Sequence, residues 1–217
     1  MNIASTLHSI SIAAIPVVCA ITLHEVAHGR VALRFGDRTA QAQGRLSLNP
    51  LRHVDPIGTV LVPIGLMLIG SPFLFGWAKP VPVNPRYFKQ PRRDMAWVAV
   101  AGPLSNLVMA CLWTVLGGLA AQGWFGAGPA SDWLYAMAGW GLGINVVLAV
   151  FNMLPIPPLD GGRVLAGLLP PAAAYKLDKL EPYGMWIVLG LLYLHVLDFV
   201  LSPMMRVLST LIARVFA

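Results

Sequence analysis

The chain has 217 residues, 57% hydrophobic and only 11% charged, with a formal net charge of +6 and a mean hydropathy of +0.71. A soluble domain carries about 25% charged residues, so these figures exclude an ordinary soluble fold and predict an all-α polytopic membrane bundle, one domain over 1–217. The positive charge is no nucleic-acid signal: the basic residues sit in loops between apolar segments, and no stretch interleaves them with aromatics.

A spanning helix needs about 20 largely apolar residues. The first such run is 6–35, with Gly36 placed to end it. The second, 57–75, follows Asp55-Pro56 in cap and first-turn positions. The third, 95–121, has Asp94 as its expected cap, and the fourth, 132–154, is stopped by Pro155, Pro157 and Pro158. A fifth helix is predicted over 183–201, and the tail 202–217, with Arg206 and Arg214 on an apolar background, as an interfacial segment. The first basic residue is Arg30, so no cleavable signal peptide is expected. Cys19 and Cys111 lie in apolar runs and read as small buried hydrophobes.

Ten of the fifteen basic residues lie in two stretches, Arg30 to Arg52 and Lys79 to Arg93, while 122–131 has none. The positive-inside rule places both stretches in the cytoplasm, on the same side of a bacterial inner membrane. A single crossing at 57–75 would separate them. Pro63, Gly65, Gly70 and Pro72 interrupt that run, which favours a re-entrant or β-containing segment that returns to its own side, with an extra spanning helix over 57–75 as the alternative. With the re-entrant segment, the N-terminus and 122–131 are outside, and 155–182 inside.

The chemistry concentrates in HEVAH, at 24–28. Four residues on a helix put His24 and His28 on one face, about 6 Å apart along the axis. Two such imidazoles can grip one zinc ion. Glu25, beside them, can take a proton from water that the metal has made acidic. Ionisable groups cost free energy in an apolar span, which favours function over a structural polar cluster. Catalytic zinc usually takes three protein ligands. The candidate for the third is Asp160, in NMLPIPPLDGG at 152–162. Three prolines there forbid regular helix and can turn its carboxylate toward the histidines.

HEVAH together with NMLPIPPLDGG resembles the site-2 proteases, intramembrane zinc metalloproteases. AGPLSN at 101–106, GRLSLNPLRHVDPIG at 44–58 and FGWAKPVPVNP at 75–85 are similar to stretches of a compact bacterial branch. The resemblance implies a three-helix catalytic core, one Zn2+ per chain held by His24, His28 and Asp160, and Glu25 as general base. The implied reaction is hydrolysis of a peptide bond in or near a transmembrane segment of a membrane-protein substrate. The PDZ domain of many relatives has no room in 122–131, and a near-minimal enzyme is expected.

Asn152, within the shared motif, could donate to the oxyanion of the tetrahedral intermediate or cap the fourth helix. Asn106 reads first as an interhelical hydrogen bond, and Asn145, in GWGLGINVV with its Gly139–Gly143 pair, first as part of a close-packing face, a substrate groove being the bolder reading. His53 with Asp55 could support a ligand, though capping by Asp55 explains half of the pair. His195 and Asp198 make two potential ligands, too few for a second metal site. The stretch 44–85 could pair with an unwound substrate as an added strand. Two rival readings stay open at this point: a zinc-binding or zinc-transport membrane protein, and a non-catalytic adaptor that binds transmembrane helices.

Overall fold

The structure, a computed structural model, describes residues 3–68 and 76–216. Helix α1 (Ile3–Arg34) buries Ile12, Pro16, Ala20, His24, His28 and Ala32, every fourth residue along one stripe. The two histidines therefore continue the packing face of the helix. It ends at Gly36, at φ +104°, whose N–H donates to Leu33 O (3.0 Å) while Asp37 N–H donates to Ala32 O (3.0 Å). This is the glycine-terminated helix stop expected from the sequence.

After the short α2 (Thr39–Ala42), a 3₁₀ turn at Pro50–Arg52 leads to a π-helical turn at Pro56–Leu61 and α3 (Val62–Leu68). Asp55 caps this unit as expected, its Oδ1 accepting from Ile57 N and Gly58 N. Residues 69–75, the last part of the expected 57–75 segment, lie outside the described residues. The chain just after them is visible, however: Trp77 N–H donates to Gly58 O (3.1 Å) and Lys79 N–H to His53 O (2.9 Å). The chain comes back beside the point where it left, as a re-entrant excursion requires. The described residues contain no strand, so the β-containing alternative gives way to extended chain without a ladder.

Helices α4 (Pro91–Ala121) and α5 (Pro129–Asn152) pack on each other and on α1. A Cβ placed on Gly117 would stand 3.0 Å from Ala138 Cβ, which is how closely α4 and α5 approach. The expected cap at Asp94 is corrected. The helix starts at Pro91, which suits a first-turn position lacking a useful N–H. Asp94 lies inside the first turn and reaches back to accept from Gln90 N–H (2.9 Å).

The stretch 155–182, read as a connection, contains α6 (Asp160–Leu168) and α7 (Pro171–Asp178). Glycine lowers helix propensity by about 1 kcal/mol, which hides α6 in the sequence. Tertiary contact stabilises it: Gly167 lies against Ala96, and Arg92 Nη2 donates to Ala166 O and Leu169 O (both 2.6 Å) at its C-terminal end.

The expected helix 183–201 is also corrected. It is two helices, α8 (Glu181–Tyr193) and α9 (Asp198–Phe216), bent by 82°. The tail 202–217 is accordingly not separate: its described residues continue α9. His195 takes φ +55°, with His195 N–H on Leu192 O and Val196 N–H on Leu191 O (both 3.0 Å), a helix stop made without glycine. Leu197 of the bend and Leu201 and Ile212 of α9 then join Ala110, Val146, Val150 and Leu154 in one core. Among the described residues, α1, α4 and α5 are each long and apolar enough to cross a membrane, and the bent α8–α9 pair passes the same test together.

Candidate metal centre

His24 and His28 face α4, and the contacts there decide their chemistry. His28 Nδ1 lies 2.7 Å from Val98 O, a carbonyl that can only accept, so Nδ1 carries the proton. Pro103 has no N–H for Ala99 O, the carbonyl next to the one His28 uses. His24 Nδ1 lies 2.6 Å from Asn106 Oδ1. Asn106 spends its amide protons on Ala20 O (3.3 Å) and Asn145 Oδ1 (2.9 Å). Its oxygen therefore faces His24, and again Nδ1 carries the proton. Both Nε2 atoms are left with free lone pairs.

Those lone pairs converge. The two Nε2 atoms are 3.0 Å apart, and they lie 3.2 Å (His24) and 3.4 Å (His28) from Asp160 Oδ2. Asp160 opens α6, where the positive end of the helix dipole favours a carboxylate. The bend that delivers it is set by close backbone approach. A Cβ on Gly161 would lie 2.2 Å from Met153 O, and one on Gly162 2.5 Å from Pro157 N. Asp160 Oδ2 is buried and has no hydrogen-bond partner among the described residues. The short distances to the two Nε2 atoms are not hydrogen bonds, because neither nitrogen has a proton to give in the tautomers above.

Three buried acceptors at this spacing repel one another without a cation. Ligands at about 2.0–2.1 Å around a tetrahedral zinc stand about 3.3–3.4 Å apart. The triangle of 3.0–3.4 Å is close to one face of that tetrahedron. His24, His28 and Asp160 also form the one candidate metal group among the described residues. Gly102 seals its α4 side: a Cβ there would lie 2.4 Å from His28 Nε2 and 2.6 Å from His24 Cε1. The donor set and its cradle fit zinc.

Comparisons with known proteins name the family and the metal. The model of Peptidase family M50 matches residues 121–194. A Bacillus subtilis protein named as a zinc metalloprotease, YwhC, is 40% identical over 204 residues, covering 94% of this chain and 90% of its own. The chain belongs to the M50, or site-2 protease, family. It is a zinc metalloprotease of the site-2 type, and its apolar helices place it in a membrane. Two mycobacterial proteins named as zinc metalloproteases, both Rip2, also match. The one from Mycolicibacterium smegmatis is 33% identical over 79% of this chain, and the one from Mycobacterium tuberculosis H37Rv 30% over 79%. The chain spans 62% of the length of each of these two. No solved structure gives a significant match.

In this M50 peptidase the remaining candidate residues separate clearly. Glu25, partly buried, accepts from Val81 N–H through Oε2 (2.7 Å), which ties the helix bearing the two histidines to the extended segment 76–84. Asn152 donates to Leu148 O one turn back (2.9 Å), as an end-of-helix residue does. His53 does not pair with Asp55: its Nε2 lies 2.9 Å from Ser47 O. His195 bonds Asp198 (2.8 Å) in an exposed pair at the α8–α9 bend, away from the triangle. Sequence reasoning gave no role to Gly102 and missed the Val98 carbonyl and the Val81 N–H, whereas Asn106 makes the interhelical hydrogen bonds expected of it. A signal existed for the first two: 98, 102 and 106 are spaced by four, on one face of α4. Nothing local marks Val81.

Proposed function

We propose that this M50 peptidase is an intramembrane endopeptidase that hydrolyses a peptide bond in or near a transmembrane segment, with His24, His28 and Asp160 holding zinc and Glu25 as general base. The observation that carries this reading is the convergence of three buried lone-pair donors beside a carboxylate. A zinc ion held there would supply Lewis acidity and lower the pKa of water toward about 7. Glu25 takes the proton of the attacking water. The Val81 N–H holds one carboxylate oxygen and leaves the other to receive it. The protonated Glu25 then returns the proton to the leaving amine.

A transmembrane helix hides its peptide bonds, so the substrate must unwind locally. The segment 76–84 suits a docking edge. Its N–H groups at 77 and 79 turn to Gly58 and His53, and that at 81 to Glu25. Alternation in extended chain turns residues 78, 80 and 82 the other way. Two of these are proline and bring no N–H, and Pro80 O is already held by Arg45 Nη2 (3.3 Å), so an unwound chain would pair here with the carbonyls of Ala78 and Pro82. Substrate crosslinks at the bend of α8 and α9, with none at 76–84, would refute this placement.

His24 lies about 9 Å along α1 from Arg30 at a rise of about 1.5 Å per residue, which puts the cut in the cytoplasmic half of a multi-pass cell-membrane protein. The decisive test is Glu25→Gln: purified protein is expected to retain its zinc and to lose cleavage of a model membrane substrate. Normal cleavage by this variant, or a wild-type protein without zinc, defeats the reading.

A further inference from the structure

Asn145 lies on α5 and touches neither histidine nor the carboxylate, yet it is fully buried, as is Asn106. The two amides form a directed chain. Asn145 Nδ2 donates to Gly141 O (2.8 Å), a carbonyl that only accepts. Asn145 must therefore present Oδ1 to Asn106, which presents Nδ2 in return (2.9 Å). Asn106 is then held with Oδ1 toward His24 Nδ1 (2.6 Å), and the ring proton is kept on Nδ1. A flipped Asn106 would aim its amide protons at Nδ1 instead. His24 would then carry its proton on Nε2, where a metal ligand needs a lone pair.

We propose that Asn145 is a positioning residue that selects the metal-binding tautomer of His24 by fixing the orientation of Asn106. Resting on the zinc reading above, this inference deepens it: the first ligand is prepared by a helix that contributes none of the three. The polar chain joins α1, α4 and α5, so the tautomer is correct only when all three helices have packed. The second contact of Asn106, to Ala20 O, is longer at 3.3 Å and comes from the helix carrying His24 itself.

The test measures zinc affinity of the full-length protein in detergent by chelator competition, with the visible spectrum of the cobalt-loaded protein as a report on ligand geometry. Asn145→Ala is expected to weaken zinc binding about 10–100-fold and to alter the cobalt spectrum. Asn145→Asp, held neutral by burial, keeps both an acceptor and a donor and should restore binding. In an Asn106→Ala background no amide remains to be oriented. There the further change Asn145→Ala should cost little. Equal losses in both backgrounds would mean that Asn145 only packs, and unchanged affinity in Asn145→Ala would remove its role; either result overturns the inference. Asn145→Leu, of the same shape, replaces the alanine variant if that does not fold. Wild-type binding that His24→Ala abolishes, with no response to Asn145, sinks this inference and leaves the metal site standing. A wild-type protein without zinc overturns both.

Discussion

Gly102 has no side chain because the space is taken. The two imidazoles fill it, and a methyl group there would lie 2.4 Å from His28 Nε2. The ring cannot retreat, because Val98 O holds its other nitrogen at 2.7 Å. Gly102→Ala is therefore expected to lower zinc affinity by at least about 10-fold, the loss typical when a residue that orients a ligand is disturbed. Chelator competition on the folded protein measures it, and unchanged affinity would show that the rings have more freedom than these contacts allow. At this scale the sequence was partly legible. HEVAH declares two ligands and a base through spacing alone, since one helical turn is a local property. The partners that orient the rings are 82 residues away for His24 and 70 for His28, and no periodicity reaches that far.

The segment 76–84 is held by side chains rather than by a sheet. Arg45, buried, donates through Nη1 to Arg52 O and through Nη2 to Lys79 O (2.7 Å) and Pro80 O (3.3 Å). Asp37, also buried, accepts from Asn84 N–H (2.6 Å) at the far end of the segment. Between them lies Val81, the donor to Glu25. Hydrogen bonds from a charged donor contribute about 1.5–3 kcal/mol each, less where water can replace them, as it can at these exposed residues. Arg45→Ala is expected to leave zinc content intact and to increase limited proteolysis within 76–84. Cleavage of substrate should fall several-fold, because the carboxylate of Glu25 loses its anchor. Unaltered protease sensitivity would mean that Arg45 is not the clamp. Elements formed by long apolar runs were readable here, and so was Asp55 as a cap. The α8–α9 bend was not, because Leu194 to Leu197 contain no glycine or proline and the apolar run continues through them. Burial of Leu197, Leu201 and Ile212 against α4 and α5 favours the bent path over a straight helix.

For the whole molecule, charge asymmetry predicts the topology. Basic residues flank the excursion at 57–75 on both sides and are missing from the α4–α5 turn. The hydrogen bonds of Trp77 and Lys79 to Gly58 and His53 put both flanks together. In a chain with Cys19 and Cys111 replaced by Ala, cysteines introduced at Arg52 and Lys89 should label from the cytoplasmic side with an impermeant thiol reagent. One at Gly126 should label from the opposite side. Labelling of Arg52→Cys and Lys89→Cys from opposite sides would require 57–75 to cross the membrane fully.

Composition, helical spacing and the distribution of lysine and arginine are sums or local periods. For that reason the sequence alone determined a helical membrane protein with a His-Glu-His turn and a proline-broken carboxylate. The tertiary structure decided the rest: that Asp160 meets both rings, that Asn106 and Val98 settle their protons, and that an extended segment steadies Glu25. Each of those depends on two elements distant in the chain burying the same surface, and an energy of that kind exists only once the helices have packed.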